Sequence, residues 1–213
     1  MVAATPNTIH LAAEEDSSKR RQILDGARKV FMDLGFDGAS MNEIARSAGV
    51  SKGTLYVYFA DKNRLFEAIV EDEALEQGKV AINLDPARDV ETTLREFGRI
   101  YMELLCRPGG GSWIRTVMAI AERMPDVGRR YYANVLEKAI KRLADYLRAH
   151  VAPGDLAIDD CQLAASQFME VCKASLFLPF VFQAAPAPSA ERIAEVVDSA
   201  TRMFLAAYRA KVN

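Results

Sequence analysis

The sequence predicts an all-α protein with about nine helices, because apolar residues recur along almost the whole chain at the spacing of one helix face. No run of alternating apolar and polar residues is long enough to indicate a strand. Glycine, proline and small polar residues separate the helical segments. Half of the 213 residues are hydrophobic and 26% are charged, a balance that suits a packed globular core.

The first four helical segments are short, and a small polar residue stands where each would begin. Such residues accept hydrogen bonds from the exposed N–H groups of the first turn. Ser40 and Glu43 have the spacing of a capping box. Gly35 and Gly49 are expected to stop the first and second helices. The expected caps, in chain order, are Ser17 or Ser18, Ser40, Ser51 and Asp61, the last opening a helix to about Val80.

The later segments are longer and lie between proline- and glycine-containing stretches. Residues 108–111, Pro-Gly-Gly-Gly, are expected to form a loop, and residues 153–155 and 184–188 to form turns. The expected helices run from Asp85–Pro86 to about Cys106, from about Ser112 to Arg123, from Asp126 to about His150, from Asp159 or Asp160 to about Phe182, and from Ser189 to about Lys211.

Charge divides the chain into a basic head and an acidic body. Residues 17–66 carry nine Lys or Arg and five Asp or Glu, a net charge of +4, so the remainder carries −6 of the total of −2. A basic segment on an acidic body is typical of a protein that binds nucleic acid. We predict a disordered arm over residues 1–16, a head over 17–63 and a body over 64–213.

The sequence lacks the motifs that would indicate several classes of function. The sequence has no GxxxxGK[ST], GxGxxG, HExxH or GxSxG pattern, so we expect no cofactor and no enzymatic activity. Cys161 and Cys172 would lie roughly 16 Å apart on one helix, and together with Cys106 they are expected to be small buried hydrophobes, with no metal site. Neither a signal peptide nor an apolar run of ~20 residues is present, so a cytoplasmic protein without a membrane partner is expected.

Residues 40–62, SMNEIARSAGVSKGTLYVYFADK, have the features of a helix-turn-helix. Ala45 is small where the two helices would cross, Gly49 suits the turn, and Val50 and Leu55 fill the space between them. The second helix would then place its N-terminal end in a major groove, with hydroxyl, ammonium and amide groups near phosphates. The expected DNA-binding residues are Ser40, Ser51, Lys52, Gly53, Thr54, Tyr56, Tyr58 and Lys62.

This segment resembles the DNA-binding domain of the tetracycline-repressor (TetR) family over roughly residues 20–70. The sequence WIRTVMAIAERMPDVGRRYY at 113–132 is similar to the AefR-like subgroup of that family. The resemblance implies a homodimer that binds a pseudo-palindromic double-stranded operator, usually as a repressor, and releases it when an inducer moves the fourth helix. The residues that match the family pattern are Ile23, Ala27, Phe31, Gly35, Phe36, Ser40, Ile44, Ala45, Ala48, Gly49, Val50, Ser51, Gly53, Leu55, Tyr56, Tyr58, Phe59 and Lys62.

The body is predicted to dimerise and to bind a small apolar or amphipathic effector, whose identity the sequence leaves open. A mostly apolar cavity with a few polar groups would suit such a compound. The expected ligand-binding residues are Trp113, Arg115, Met118, Gln167, Glu170 and Phe177. The expected dimer interface comprises Ala164, Ala165, Phe168, Val171 and Ser175, together with Ile193, Val196, Val197, Ala200, Phe204 and Ala207 of the last helix.

Two other interpretations stay open at this point. An enzyme would need a substrate cavity in the helical body, with Glu122, Glu170 and Tyr131 as acid or base, but their spacing pairs no nucleophile with a base. A regulator without an effector would bind DNA with an affinity that no small molecule changes. Turnover of a bound ligand would indicate the first, and ligand-independent DNA affinity the second.

Overall fold

A computed structural model describes residues 6–79, 82–107 and 110–210, and it describes side chains within residues 16–72, 82–107 and 113–210. In these residues the fold is all-α, as predicted, and its one β-type pairing is an isolated bridge between Leu156 and Arg209. The helices are α1 (Pro6–Gly38), α2 (Met41–Ser47), α3 (Lys52–Tyr58), α4 (Lys62–Lys79), α5 (Val90–Leu105), α6 (Gly110–Ala121), α7 (Pro125–Tyr131), α8 (Lys138–Val151), α9 (Cys161–Lys173), α10 (Phe177–Val181) and α11 (Ala190–Tyr208), and a π-helical segment over Tyr132–Glu137 joins α7 to α8.

The predicted caps of α2, α3 and α4 and the predicted stop of α2 before Gly49 are confirmed, whereas α1 is kinked at Gly35 and continues to Gly38. Ser40 and Glu43 form the complete capping box at α2, and Ser51 accepts a hydrogen bond from the third residue of α3. The carboxylate of Asp61 accepts one from the backbone N–H of Arg64 at the start of α4. Gly35 and Gly49 both have positive φ, 69° and 64°, the left-handed backbone that glycine adopts at little cost.

The first helix begins earlier than its expected cap at Ser17 or Ser18. Helix α1 already runs from Pro6, and residues 1–5 lie outside the described part of the chain. Proline is well suited to the first position of a helix, since a backbone N–H there has no partner within the helix and proline has no N–H. The alanines and glutamates that follow, including Ala12 and Glu14, have high helix propensity, and no glycine interrupts them.

Two predicted helix starts in the body were placed wrongly. The carboxylate of Asp85 accepts from the N–H of Ala87 and its carbonyl from that of Arg88, so this segment closes a turn of its own. Helix α5 therefore begins only after Asp89, whose side chain caps it. Helix α6 begins at Gly110, inside the expected loop. The rest of that loop, residues 108–109, lies outside the described residues.

The helix expected over residues 160–182 is interrupted. Helix α9 ends at Lys173, Ser175 takes a positive φ of 60°, and the chain resumes as the short α10. Pro179 explains the break, since it has no N–H to donate to the carbonyl of Ser175 and its ring would clash with that carbonyl. Starting a new helix at Phe177 places Pro179 in a first turn, where neither cost arises.

Buried side chains form two clusters, and the boundary between them does not follow the chain. The body cluster is built from α5, α8, α9, α10 and α11, with Ile114 of α6. The second cluster joins α1–α4 to side chains of α6, α7 and the π-helical segment, among them Trp113, Ile120 and Val127. Helices α6 and α7 therefore share a core with the N-terminal head, which makes them the contact between head and body.

Cys106, Cys161 and Cys172 are free and buried, which confirms their interpretation as small apolar side chains. Burial raises the pKa of the Cys106 thiol to about 11 and that of Cys172 to about 12. Such thiols are poor nucleophiles and poor metal ligands. Among the described residues no group of His, Cys, Asp and Glu side chains is arranged to hold a metal ion. In the same residues, no helix is long and apolar enough to cross a bilayer.

Candidate nucleic-acid interface

Helices α1 and α2 are held together by a contact between their backbones. A Cβ placed on Gly26 would lie 2.5 Å from the Cα of Ala48, so only glycine permits this approach. Beside it, the side-chain amide of Gln22 donates to the carbonyl of Ala48 at 2.6 Å, which satisfies an acceptor at the C-terminal end of α2. The orientation of the turn at Gly49 is thereby fixed relative to α1.

Helix α3 is anchored by its start and by one apolar face. The Ser51 hydroxyl accepts from the backbone N–H of Thr54 at 3.0 Å and lies 2.7 Å from the Thr54 hydroxyl. Leu55 is fully buried, and Phe59 is buried just beyond the last turn. The remaining face is open to solvent and carries Lys52, Gly53, Tyr56 and Val57, which we call the α3 outer face.

Gly53 lies on the α3 outer face, and the fold does not require glycine at this position. Its φ is not in the positive range, and a Cβ there would meet no described atom closer than the Ser51 hydroxyl at 3.8 Å. Glycine is a poorer helix former than alanine, by up to about 1 kcal/mol in a helix interior. Alanine would therefore be tolerated here, and glycine leaves the helix backbone at this position uncovered.

Lys52 and Tyr56 occupy adjacent turns of the same face. The Lys52 ammonium lies 6.0 Å from the centre of the Tyr56 ring, at the outer limit of a cation–π contact. Tyr56 is 45% exposed, and both side chains are free to reorient toward a polyanion. Together with Gly53 and Thr54, they account for four of the eight predicted DNA-binding residues in one short helix.

Lys62 has a structural role that its sequence position did not indicate. Its ammonium group donates to the carbonyl oxygens of Phe36 at 2.7 Å and Ala39 at 3.1 Å, and it lies 4.5 Å from the centre of the Phe36 ring. These bonds tie the start of α4 to the segment between α1 and α2. Two of the three ammonium donors are engaged within the head, which leaves one for a phosphate.

Ser40 and Tyr58 are likewise engaged in the head. The Ser40 hydroxyl and backbone N–H both bond the Glu43 carboxylate, and these bonds lower the pKa of Glu43. The Tyr58 hydroxyl donates to the carboxylate of Asp16 at 2.7 Å, and this hydrogen bond raises the pKa of the phenol. Both side chains lie at the surface near α3, so a bound phosphate would compete with Asp16 for Tyr58.

Helices α1–α4, which share one core and are called the head from here on, contact the rest of the protein mainly through α1 against α6 and α4 against α7. The ring of Phe66 in α4 stacks on Trp113 in α6, with centroids 5.0 Å apart. Just beyond the far end of α6, Arg123 makes a bidentate ion pair with Asp37, at 2.8 and 2.7 Å, and this pair lowers the pKa of the Asp37 carboxyl. Helix α6 thus contacts the head through apolar side chains, among them Trp113, Val117 and Ile120, and Arg123 adds a charged contact just after the helix.

A cleft of about 430 Å³ opens beside this ion pair. One wall is the end of α1, with Leu34 and Phe36, and the other is α6 and the residues after it, with Arg115 and Arg123. Arg115 also donates to the carbonyl of Val181 in α10. Because its walls come from both head and body, the volume of the cleft depends on their relative position.

The six predicted ligand-binding residues do not converge on one site. Trp113 and Phe177 are buried in different clusters, and Arg115 lines the cleft between α1 and α6. The other three lie elsewhere: Met118 is 63% exposed, Gln167 bonds the Tyr208 hydroxyl through its amide oxygen, and Glu170 pairs with Lys173.

Sequence reasoning missed Gly26, Gln22, Val57 and Arg123. A signal existed for Gly26, since glycine inside a strongly helical segment indicates a close backbone approach. For Gln22 and Arg123 no local pattern announces the partner, because Ala48 and Asp37 lie 26 and 86 residues away along the chain. Val57 carries no signal in the sequence either, because single apolar residues are common on protein surfaces.

Comparisons with known proteins agree with this architecture. Residues 23–69 match the family model described as bacterial regulatory proteins, tetR family. Residues 92–210, more than half of the chain, match the model described as AefR-like transcriptional repressor, C-terminal domain. The first match covers the helix-turn-helix and the second covers α5 to the end of α11.

Among curated proteins, the HTH-type transcriptional repressor Rv1474c of Mycobacterium tuberculosis is 29% identical over 61% of this chain. The match spans 63% of that repressor, less than two thirds of its length. The HTH-type transcriptional repressor AcnR of Corynebacterium efficiens is 25% identical over 85% of this chain and 89% of its own.

Solved structures extend the likeness to nearly the whole chain. A crystal structure described as a TetR-family transcriptional regulator from Mesorhizobium loti has a TM-score of 0.82 at 28% identity, covering 91% of this chain and 98% of its own. The structure of the flavonoid-responsive regulator FrrA has a TM-score of 0.75, also at 28% identity, covering 92% and 100%.

Proposed function

The chain belongs to the TetR family of bacterial regulatory proteins, and from this premise we propose that it is a transcription regulator that binds operator DNA through α3. The main support for the proposal is Gly53, a position at which the fold has room for a side chain but the sequence has glycine. A close backbone approach at the start of a helix suits a phosphate or a base edge in the major groove. Lys52, Thr54 and Tyr56 supply the neighbouring donors.

Repression is the mode that we propose. The two curated relatives described above are both named repressors. A repressor acts by occupying an operator that overlaps a promoter, so the sign of regulation depends on where that operator lies. Footprinting the protein on DNA upstream of its own and neighbouring genes, followed by transcription measured with and without the protein, tests both parts of the proposal.

We further propose a homodimer, with an interface that differs from the one expected from the sequence. Most of the expected interface residues, including Ala164, Phe168 and Val197, are buried within the protomer. The solvent-facing sides of α9 and α11 instead carry Leu163 at 53% exposure and Met203 at 59%. Small exposed side chains on α11 permit close helix approach, and a four-helix contact between two copies would cover the face. These small residues are Ser199, Ala206 and Ala207.

A small effector is proposed to bind the cleft between α1 and α6. Its apolar walls and its two guanidinium groups, Arg115 and Arg123, suit an amphipathic compound with an anionic group. Such an anion would compete with Asp37 for Arg123, an exposed ion pair that water already weakens. Because the cleft is formed by both head and body, a ligand that binds better to one cleft shape changes the affinity of the protein for DNA. DNA must then change the affinity of the protein for the ligand by the same factor.

A regulator without an effector is the second candidate, and an enzyme is not proposed. Titration of amphipathic carboxylates against the operator complex distinguishes the first two. Release of DNA in proportion to ligand supports the effector, whereas ligand binding that leaves operator affinity unchanged supports constitutive binding.

A further inference from the structure

Val57 is the most exposed large hydrophobic side chain in the described part of the protein, at 82%. It lies in α3, whose buried face is carried by other residues. A β-branched side chain also has below-average helix propensity. Neither core packing nor the local helix therefore accounts for valine at this position.

Helical spacing places Val57 over the surface that Gly53 leaves uncovered. Residues three and four apart share one side of a helix, so Gly53, Tyr56 and Val57 form a single strip. Side chains on a helix lean toward its N-terminus, which directs the Val57 methyl groups toward the turn that contains Gly53. Since Gly53 has no side chain, these methyl groups stand at the front of the α3 outer face.

In a major groove the chemistry available to a methyl group is narrow. Guanine, cytosine and adenine present hydrogen-bonding edges there, and only thymine presents an apolar group, its C5-methyl. A valine pressed against a polar edge would leave that edge without partners, which costs free energy. Contact with a thymine methyl removes apolar surface of both groups from water.

We propose that Val57 selects thymine at one base pair of each operator half-site by packing against its C5-methyl group. The inference rests on the proposed function, since it needs α3 to lie in the major groove. It adds a specificity determinant that forms no hydrogen bond, beside the polar contacts of Lys52, Thr54 and Tyr56. Tyr56, its neighbour on the strip, would fix the register in which Val57 meets the base.

Uracil provides the matched probe, because it differs from thymine only by the missing methyl group. An operator is first selected from random duplexes with the parent protein, and each thymine is then replaced singly by uracil. For the parent, one symmetric pair of replacements is expected to weaken binding about fourfold per half-site, the value of one buried methyl-sized group. The other replacements are expected to change the affinity by less.

The variant Val57→Ala tests the protein side of the same contact. It should lose affinity for the thymine operator and bind the uracil operator with the same affinity as the thymine one, since the methyl partner is gone. Its melting temperature should match the parent, because an 82% exposed side chain contributes little to packing. Leu178→Ala, which truncates a 60% exposed apolar side chain on α10, is the control and should keep the uracil effect.

The possible outcomes distinguish a failure of the proposed role of Val57 from a failure of the proposed DNA binding. A parent that binds every uracil operator like the thymine operator, or a Val57→Ala variant that stays equally sensitive to uracil, overturns the role of Val57 and leaves operator binding intact. A parent that selects no sequence at all from random duplexes overturns the proposed function, and the inference with it.

Discussion

Gly26 and Ala48 are in backbone contact: a Cβ on Gly26 would lie 2.5 Å from the Cα of Ala48 and 2.6 Å from its nitrogen. Neither atom belongs to a flexible side chain, so a larger residue at position 26 forces α2 away from α1. The contact decides where the helix-turn-helix sits, and it contrasts with Gly53, which has open space around it.

Gly26→Ala is expected to destabilise the head by about 1–3 kcal/mol, the usual cost of overpacking a tight contact. Urea denaturation followed by circular dichroism measures the change. Gly53→Ala is the matched control, and it should leave stability unchanged or raise it, because alanine is the better helix former. Equal stability of Gly26→Ala and the parent would mean that α1 and α2 are not held by this contact.

For DNA binding, Gly53→Ala is expected to be the damaging change although it spares the fold. It should weaken operator binding by about tenfold or more while its stability is retained, since the added methyl group stands where a DNA group approaches the backbone. Fluorescence anisotropy at one fixed salt concentration measures the affinity. Undiminished affinity would show that the glycine has no role in contact with DNA.

Lys52 and Lys62 are predicted to differ although both are lysines of the motif. Lys52→Ala should reduce the slope of log affinity against log salt by about one unit with no loss of stability, as expected for a lost phosphate contact. Lys62→Ala should lower stability by about 1 kcal/mol, because the Phe36 and Ala39 carbonyls lose their donor. Binding titrations at several salt concentrations and denaturation curves distinguish the two variants. A loss of stability in Lys52→Ala, with a reduced salt slope and full stability in Lys62→Ala, would contradict these assignments.

A charge on the solvent-facing side of α9 or α11 should prevent dimerisation. Met203→Glu and Leu163→Glu are expected to give monomers of about 23.5 kDa by light scattering, with weakened operator binding because the two half-sites are no longer linked. Met118→Glu introduces the same charge at a similarly exposed methionine of α6 and should leave the dimer intact. A parent protein that is monomeric at micromolar concentration would refute the interface.

The ion pair of Arg123 with Asp37 should govern anion binding in the cleft between α1 and α6. With octanoate as probe and Trp113 fluorescence as readout, Arg123→Gln is expected to weaken binding, whereas Asp37→Asn should strengthen it by releasing the guanidinium. The pKa of Asp37 is lowered by this pair, so the pair persists at neutral pH and is lost as the pH falls through that lowered pKa. Octanoate affinities that are equal in both variants would exclude the site.

Local chemistry explains which features were predictable from the sequence. The caps at Ser40, Ser51 and Asp160 and the left-handed turn at Gly49 depend on residues within one helical turn, so their spacing was sufficient. The start of α5 was misplaced because Asp85 and Asp89 are equally good caps in isolation. Only the turn that Asp85 closes with Arg88 decides between them.

The features that could not be predicted from the sequence depend on tertiary contacts. The structural role of Lys62 could not be predicted because the carbonyls that it binds belong to a segment 23 to 26 residues earlier, and its contact with a phosphate stays a prediction. The predicted ligand residues are polar or aromatic groups on apolar helices, but periodicity does not say against which neighbour a helix packs. Thus Trp113 joins the core of the head, while Gln167 and Glu170 lie at the surface.

Selection of operator DNA tests the central claim, that α3 reads a specific sequence. The parent protein is incubated with random duplexes at fixed, near-physiological salt, and the bound DNA is sequenced and titrated. One enriched pseudo-palindromic sequence is expected, bound about 10³-fold or more tightly than random DNA, with the preference lost in Tyr56→Ala and Thr54→Ala. Equal affinity for all duplexes, or an unchanged preference in both variants, would contradict it.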